Sequence, residues 1–216
     1  MDQYKETFET WDKIATIYQD KFMDLKLYNE TYDFFCDALK NEQLHIFEIG
    51  CGPGNITKYL LSKKPNLKIR GIDIAPKMIE LAQKNNPSAQ FEVMDTRDLN
   101  KVNQQFDAII CGFCLPYLSE EDCSKLINSI DKILCPGGIF YLSFVEGHST
   151  ASGFISGSTG DRTYFYYHNL KNIEKQLSIH NFKIIKSFEV KYPKSENIEI
   201  HTILIAQKNE RNHCTF

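Results

Sequence analysis

Five short apolar runs set the frame for this chain: LHIFEI (44–49), LKIRGIDI (67–74), FEVM (91–94), FDAIIC (106–111) and IFYLSFV (139–145). Each is too short for a helix and too continuously apolar for a strand with one wet face, as expected of parallel strands covered on both sides. They recur about every 20–30 residues, and helical patterns fill the gaps. The clearest helix covers 120–134. Ser119 with Asp122 resembles a capping box, Cys123, Leu126, Ile127, Ile130, Ile133 and Leu134 form one stripe, and Pro136-Gly-Gly stops it. Strand-helix-strand order of this kind implies right-handed crossovers and a doubly wound α/β sheet. The end differs. After a helical pattern over 169–180, FKIIKSFEV (182–190) and NIEIHTILIA (197–206) flank a Tyr-Pro-Lys-Ser-Glu turn, which predicts an antiparallel hairpin at the sheet's edge. Two helical patterns precede the first strand, Ile14, Ile17 and Tyr18, then Tyr32, Phe35, Cys36 and Leu39.

Composition narrows the function classes. At 216 residues one domain with a sizeable core suffices. The balance of 25 Lys+Arg against 28 Asp+Glu offers no basic field for a phosphate backbone, so nucleic acid is not the expected partner. No stretch approaches the roughly 18 apolar residues of a membrane span. MDQYKETFETWDK lacks the basic-then-apolar order of a signal peptide, so a soluble, cytoplasmic protein is expected. Seven scattered cysteines read as reduced thiols. Cys111 and Cys114 form a C-x-x-C pair, but no second pair at metal spacing accompanies it, and small apolar residues at a strand end are the simpler reading. No metal is expected.

The chemistry centres on FEIGCGPGNIT (47–57). Gly50, Gly52 and Gly54 follow the first strand and open a helix with Ile56, Tyr59 and Leu60 on its apolar face, at the carboxyl ends of the strands where open α/β sheets bind ligands. Glycine permits the tight turn and leaves backbone bare. A phosphate loop would need Lys-Ser/Thr after the glycines, and none follows. A dinucleotide fingerprint would want a third small residue where Asn55 stands, so that reading holds only loosely. About 20 residues further on, Asp73 ends the second strand, where a carboxylate can accept both hydroxyls of a ribose. Unpaired at a strand end, it has no evident structural role. Asp95-Thr96 follows the third strand, within reach of a base laid over the sheet.

Together FEIGCGPG, GIDIAPKMIELAQ, VMDTRDL and ILCPGGIFYLS resemble the class I S-adenosylmethionine-dependent methyltransferases, closely over residues 44–145. The resemblance implies a Rossmann-like, mostly parallel seven-stranded sheet with an antiparallel C-terminal hairpin. It implies that Gly50, Cys51 and Gly52 flank the methionine moiety, that Asp73 takes the ribose hydroxyls and Asp95 the adenine amino group. Ile74, Met78 and Thr96 would sandwich the adenine, with Cys111 at the bend after the fourth strand. Ile74 and Met78 are equally readable as core. The stretch WDKIATIY (11–18) resembles the family's small-molecule members, in which a tyrosine placed like Tyr18 reaches the methionine carboxylate. Trp11 would cover the cofactor.

The chain divides into an N-terminal helical cover (1–40), a cofactor-binding core (41–146), a lid (147–168) and a terminal helix and hairpin (169–208), within a single domain over 1–216. GHSTASGFISGSTGDRT (147–163), with four glycines and many hydroxyls, reads as too mobile for regular structure but suited to a lid. His168 and His148 are the candidate general bases, His168 equally readable as a helix brace. Tyr117, Arg162 and His168 are candidates to touch the acceptor. The expected activity is methyl transfer from S-adenosylmethionine, leaving S-adenosylhomocysteine, to an O or N atom of a small molecule, by a monomer or homodimer. A protein or RNA methyltransferase and a non-catalytic cofactor-binding module are the alternatives.

Overall fold

The structure is a computed structural model that describes residues 3–210 apart from 158 and 195–197. Three N-terminal helices, α1 (Gln3–Lys13), α2 (Ala15–Phe22) and α3 (Asn29–Ala38), precede an alternating series. It runs β1 (His45–Ile49), α4 (Asn55–Lys63), β2 (Lys68–Asp73), α5 (Pro76–Asn85), β3 (Gln90–Val93), β4 (Phe106–Cys111), α6 (Glu120–Ile133) and β5 (Leu134–Val145). A small hairpin, β6 (Gly153–Ser156) and β7 (Arg162–Phe165), then leads to α7 (Leu170–Ile179), β8 (Phe182–Pro193) and β9 (Ile198–Lys208).

The main sheet has seven strands in the order β3-β2-β1-β4-β5-β9-β8. β1 to β5 pair in parallel, and β9 runs antiparallel to both β5 and β8. The antiparallel strand therefore lies one in from the edge, because the chain crosses to the outermost position first and turns back to fill the gap. The expected Tyr-Pro-Lys-Ser-Glu turn lies partly outside the described residues, as does Cys214; the six described cysteines are free thiols.

Strand alternation divides the core. Phe47, Ile49, Ile109 and Cys111 pack with α6 and α7 on one face, while Ile46, Ala108 and Ile110 pack with α3 and α4 on the other. Each large side chain so buried stabilises the fold by about 1.5–3 kcal/mol. β3 departs from the two-faced pattern: as an edge strand it leaves Val93 exposed. Ile17 is exposed as well, since the break between α1 and α2 turns Ala15 and Tyr18 inward instead, against Trp11 and Met78.

The 147–163 stretch is more ordered than its composition implies. β6 and β7 pair antiparallel, and β7 lies against α1. Thr10 Oγ1 donates to the Arg162 carbonyl at 2.7 Å and Tyr164 N–H donates to Thr7 Oγ1 at 2.9 Å. Backbone pairing with an α1 hydroxyl row supplies the partners that glycine and serine side chains cannot. The two expected covers are thus latched to each other.

α6 begins where the sequence predicts. Ser119 Oγ accepts from the Asp122 backbone N–H at 3.1 Å, and Tyr4 Oη accepts from Ser119 N–H at 2.9 Å. Ser119→Ala removes the cap, and unfolding in urea should show a loss of about 1 kcal/mol with an unchanged m-value.

Candidate active site

The glycine turn is held from both sides. Gly50, Gly52 and Gly54 sit at φ of +68°, +52° and +80°, a region most side chains avoid, so the course of the turn after β1 depends on glycine at these positions. Asp73, at the end of β2, accepts from Gly52 N–H through Oδ2 and from Ala75 N–H through Oδ1, both at 2.9 Å. Its expected lack of structural work is therefore corrected: the carboxylate ties the glycine turn to the start of α5. Burial raises its pKa against the lowering pull of these backbone donors.

Beneath the turn lies a residue the sequence reading passed over. Glu48 is fully buried in β1, where Thr57 Oγ1 donates to Oε2 and Oε1 has no partner among the described residues. Burial pushes its carboxyl up to about 8, opposed by the Thr57 hydrogen bond. A lone acidic residue inside FEI was the available signal.

Above the turn a cavity of about 110 Å³ opens. Gly50, Gly52, Asp73, Ile74, Met78, Asp95, Thr96, Tyr18 and Tyr117 line it, so these predicted residues come together, joined by Trp11 and Phe8. Asp95 is clamped by Arg97, whose Nε and Nη2 donate to its two oxygens at 3.0 and 2.6 Å, and Arg97 stacks on the Tyr4 ring at 4.1 Å. Trp11 meets Tyr18 and Tyr117 edge-on, at 5.5 and 5.1 Å, and its buried indole N–H has no partner among the described residues.

Cys111 does not line the cavity. It closes β4 fully buried, and the bend passes instead through Gly112, Phe113 and Cys114. Phe113 adopts a φ of +57°, rare for a bulky residue, with its N–H donating to Ser143 Oγ at 2.7 Å. Strain of this kind persists where surroundings over-determine it, and here it aims a ring into the site.

A second cavity, of about 240 Å³, adjoins the first. The two share a rim of Trp11, Tyr18, Gly50, Gly52, Gly112, Phe113 and Tyr117. Cys51 lies on the second. Its far wall comes from residues not among the sequence candidates: Phe22 and Tyr28 before and at the start of α3, Ile155 and Phe165 within the expected lid, and Tyr192, Lys194, Glu199 and His201 of the terminal hairpin. The signal for the last two was E-x-H in NIEIHTILIA, polar residues two apart on one face of an apolar strand.

Three candidates stand apart from both cavities. His168 is buried behind Leu115, and since a carbonyl only accepts, its Nε2 must donate to the Leu115 oxygen at 2.8 Å. Burial lowers its pKa despite that hydrogen bond. It braces the loop before α6 and the strand β5, whose Val145 carbonyl takes its backbone N–H. Arg162 faces away, paired with Glu6 at 2.8 Å and stacked on Phe154. His148 is exposed and outside both cavities. Among the described residues no cluster of His, Cys, Asp and Glu is placed to hold a metal, and no helix is long and apolar enough to cross a membrane.

A doubly wound sheet with a glycine turn at the end of β1, an acid at the end of β2 and a cleft above them defines a nucleoside-binding α/β protein. Residues 46–138 match the family described as a methyltransferase domain. The chain is 29% identical over 236 residues to a malonyl-[acyl-carrier protein] O-methyltransferase of Priestia megaterium, spanning 97% of this chain and 83% of that protein. It is 28% identical over 200 residues to a tRNA N(3)-methylcytidine methyltransferase of Schizosaccharomyces pombe, spanning 82% of this chain and 64% of that one. Several other relatives are matched over less than half of their own length. The magnesium protoporphyrin IX methyltransferase of Synechocystis with bound SAH shares the fold, with a TM-score of 0.73 and 18% identity over 96% of this chain and 100% of that one. Over residues 46–138 the chain is thus similar to a methyltransferase domain, and its fold is the one found in S-adenosylmethionine-dependent methyltransferases.

Glu48 gives the site a pH signature. Folding raises its pKa from an ordinary 4.5 to about 8, so its contribution to stability is full below 4.5 and is lost as pH climbs through about 8. Urea unfolding of the wild-type protein should show stability falling across that window, and Glu48→Gln should flatten the fall.

Proposed function

We propose that this chain binds S-adenosylmethionine in the first cavity and directs its methyl group to an O or N atom of a small molecule held in the second. The shared rim carries this reading: a ligand laid from Asp73 across the bare turn at Gly50 and Gly52 ends at the mouth of the second cavity. The residues present fit an adenosyl ligand. The glycine turn leaves backbone open, Asp73 offers further lone pairs for ribose hydroxyls, and Ile74, Met78 and Thr96 offer faces for a base. Cys51 and Tyr18 flank the methionine end, and the orphaned Trp11 N–H stands on the common wall.

When bound, the cofactor supplies a methyl group whose bond to sulfur breaks as a bond to the acceptor forms, leaving a neutral thioether and any acceptor proton to be taken up. The protein's work is then placement and exclusion of water. Tyr18, Trp11 and Tyr117 wall the junction of the cavities, while α1 and the β6–β7 hairpin roof it together. The relatives named for malonyl-[acyl-carrier protein] and for tRNA act on acceptors different in kind, and the lining of the second cavity sets what can bind beside the first.

Calorimetric titration should give tight binding of S-adenosylhomocysteine and far weaker binding of NAD; equal affinities would overturn the cofactor reading. Asp73→Ala should weaken S-adenosylhomocysteine binding at least about tenfold, the worth of one or two charge-assisted hydrogen bonds. Labelled methyl from the cofactor should enter the small-molecule fraction of a metabolite extract and not total RNA.

Ligand binding should also slow hydrogen exchange in both covers, 3–28 and 147–165, because they are latched to each other. The β8–β9 ladder, on the far side of the sheet from the glycine turn, should be unchanged outside residues 199–201.

A further inference from the structure

The wall of the second cavity carries a row of hydrogen-bonded side chains. Tyr28 Oη lies 2.7 Å from His201 Nδ1, and His201 Nε2 lies 3.0 Å from Glu199 Oε2. Lys194 pairs with the other oxygen of Glu199. All four side chains line the cavity, and Tyr28 and His201 are buried. His201 is further enclosed by the Tyr192 ring, stacked at 4.9 Å, and by Phe113 at 5.1 Å.

The proton positions follow from chemistry. Burial opposes ionisation of Glu199, but His201 and Lys194 hold its carboxyl below the ordinary range, so at neutral pH it is an acceptor only. With Glu199 accepting, His201 donates from Nε2, and the tautomer with its one hydrogen there leaves Nδ1 to accept from the Tyr28 hydroxyl. Burial raises the Tyr28 pKa, so the phenol keeps its proton until another proton replaces it.

The charge of the wall limits what can occupy the space. Lys194 is the cation among the described lining residues, and Glu199 already neutralises it. A carboxylate buried there would be an unpaired charge taken out of water, which is disfavoured. Tyr28, Tyr32, Phe113, Tyr117, Phe165 and Tyr192 instead offer flat apolar faces.

We infer that the acceptor is a neutral planar molecule bearing an acidic hydroxyl or ring N–H, and that Tyr28, backed by His201 and Glu199, takes up its proton. The inference rests on the methyl-transfer reading above. The acceptor's proton passes to the Tyr28 oxygen as the Tyr28 hydroxyl proton passes to Nδ1 of His201. The proton ends on an imidazolium held against the Glu199 carboxylate, and the acceptor's freed electron pair takes the methyl group. Tyr28 is the catalytic residue of this step; His201 and Glu199 are positioning residues.

para-Nitrophenol, whose ionised form is coloured, tests the step without turnover. Bound to wild-type protein loaded with S-adenosylhomocysteine, it should ionise at least about one pH unit lower than in free solution, because its proton passes through Tyr28 and leaves a positive imidazolium on His201 beside the anion. Tyr28→Phe and Glu199→Gln should abolish that shift while still binding S-adenosylhomocysteine as wild type does. The wild-type measurement stands even where a variant fails to fold. Ionisation of the bound probe as in free solution would overturn the proton step. Absence of binding, or tighter binding of benzoate or malonate than of para-nitrophenol, would overturn the acceptor class. Failure of S-adenosylhomocysteine itself to bind wild type would overturn the methyl-transfer reading, and this inference with it.

Discussion

The hydrogen bonds of the Asp73 carboxylate to Gly52 and Ala75 hold the site together. They join the loops after β1 and β2, so two adjacent strand ends present one continuous floor. The donor at Gly52 is its main-chain N–H, in a turn whose φ of +52° favours glycine. The glycine conformation, the aim of α5 and the openness of the cleft all follow from this one charge at a strand end. Glu48 reinforces the arrangement from below by joining β1 to Thr57 of α4.

The roof follows another logic. α1 presents Thr7 and Thr10 along one face, and β7 presents its backbone to them. Pairing a side-chain hydroxyl with a main-chain group places little demand on the neighbouring residues. Ion pairs at the rim, Lys13 with Asp161 and Arg162 with Glu6, are exposed and add little, since surface pairs contribute about 0–1 kcal/mol. Cohesion of the roof therefore rests on the buried hydroxyls and on the rings beneath them.

Legibility in the sequence tracked local physics. The seven strands, the α6 cap and the glycine turn were readable because apolar runs, capping residues and positive-φ glycines each act over a few residues. The residues around the first cavity were readable for the same reason, lying just past strand ends. Cys111 was misplaced by one turn of the bend, because a left-handed Phe113 is held by Ser143, 30 residues on, and no local pattern announces it. Arg162 and His168 were expected at the site by their chemistry alone. Glu6 and the Leu115 carbonyl claim them, and both partners are remote in sequence. The order within 147–163 was hidden likewise, since its stabilising partner is the first helix.

The pairing of Tyr28 with His201 spans 173 residues, the first helices meeting the last strand. Loop closure over such a separation costs entropy that only an already assembled sheet can offset. β1, β2 and β4 can associate while the chain is still being synthesised, and the nucleoside cleft with them. The second cavity has no far wall until β9 slots between β5 and β8. During biosynthesis this architecture therefore completes the cleft above the glycine turn before the cavity that adjoins it.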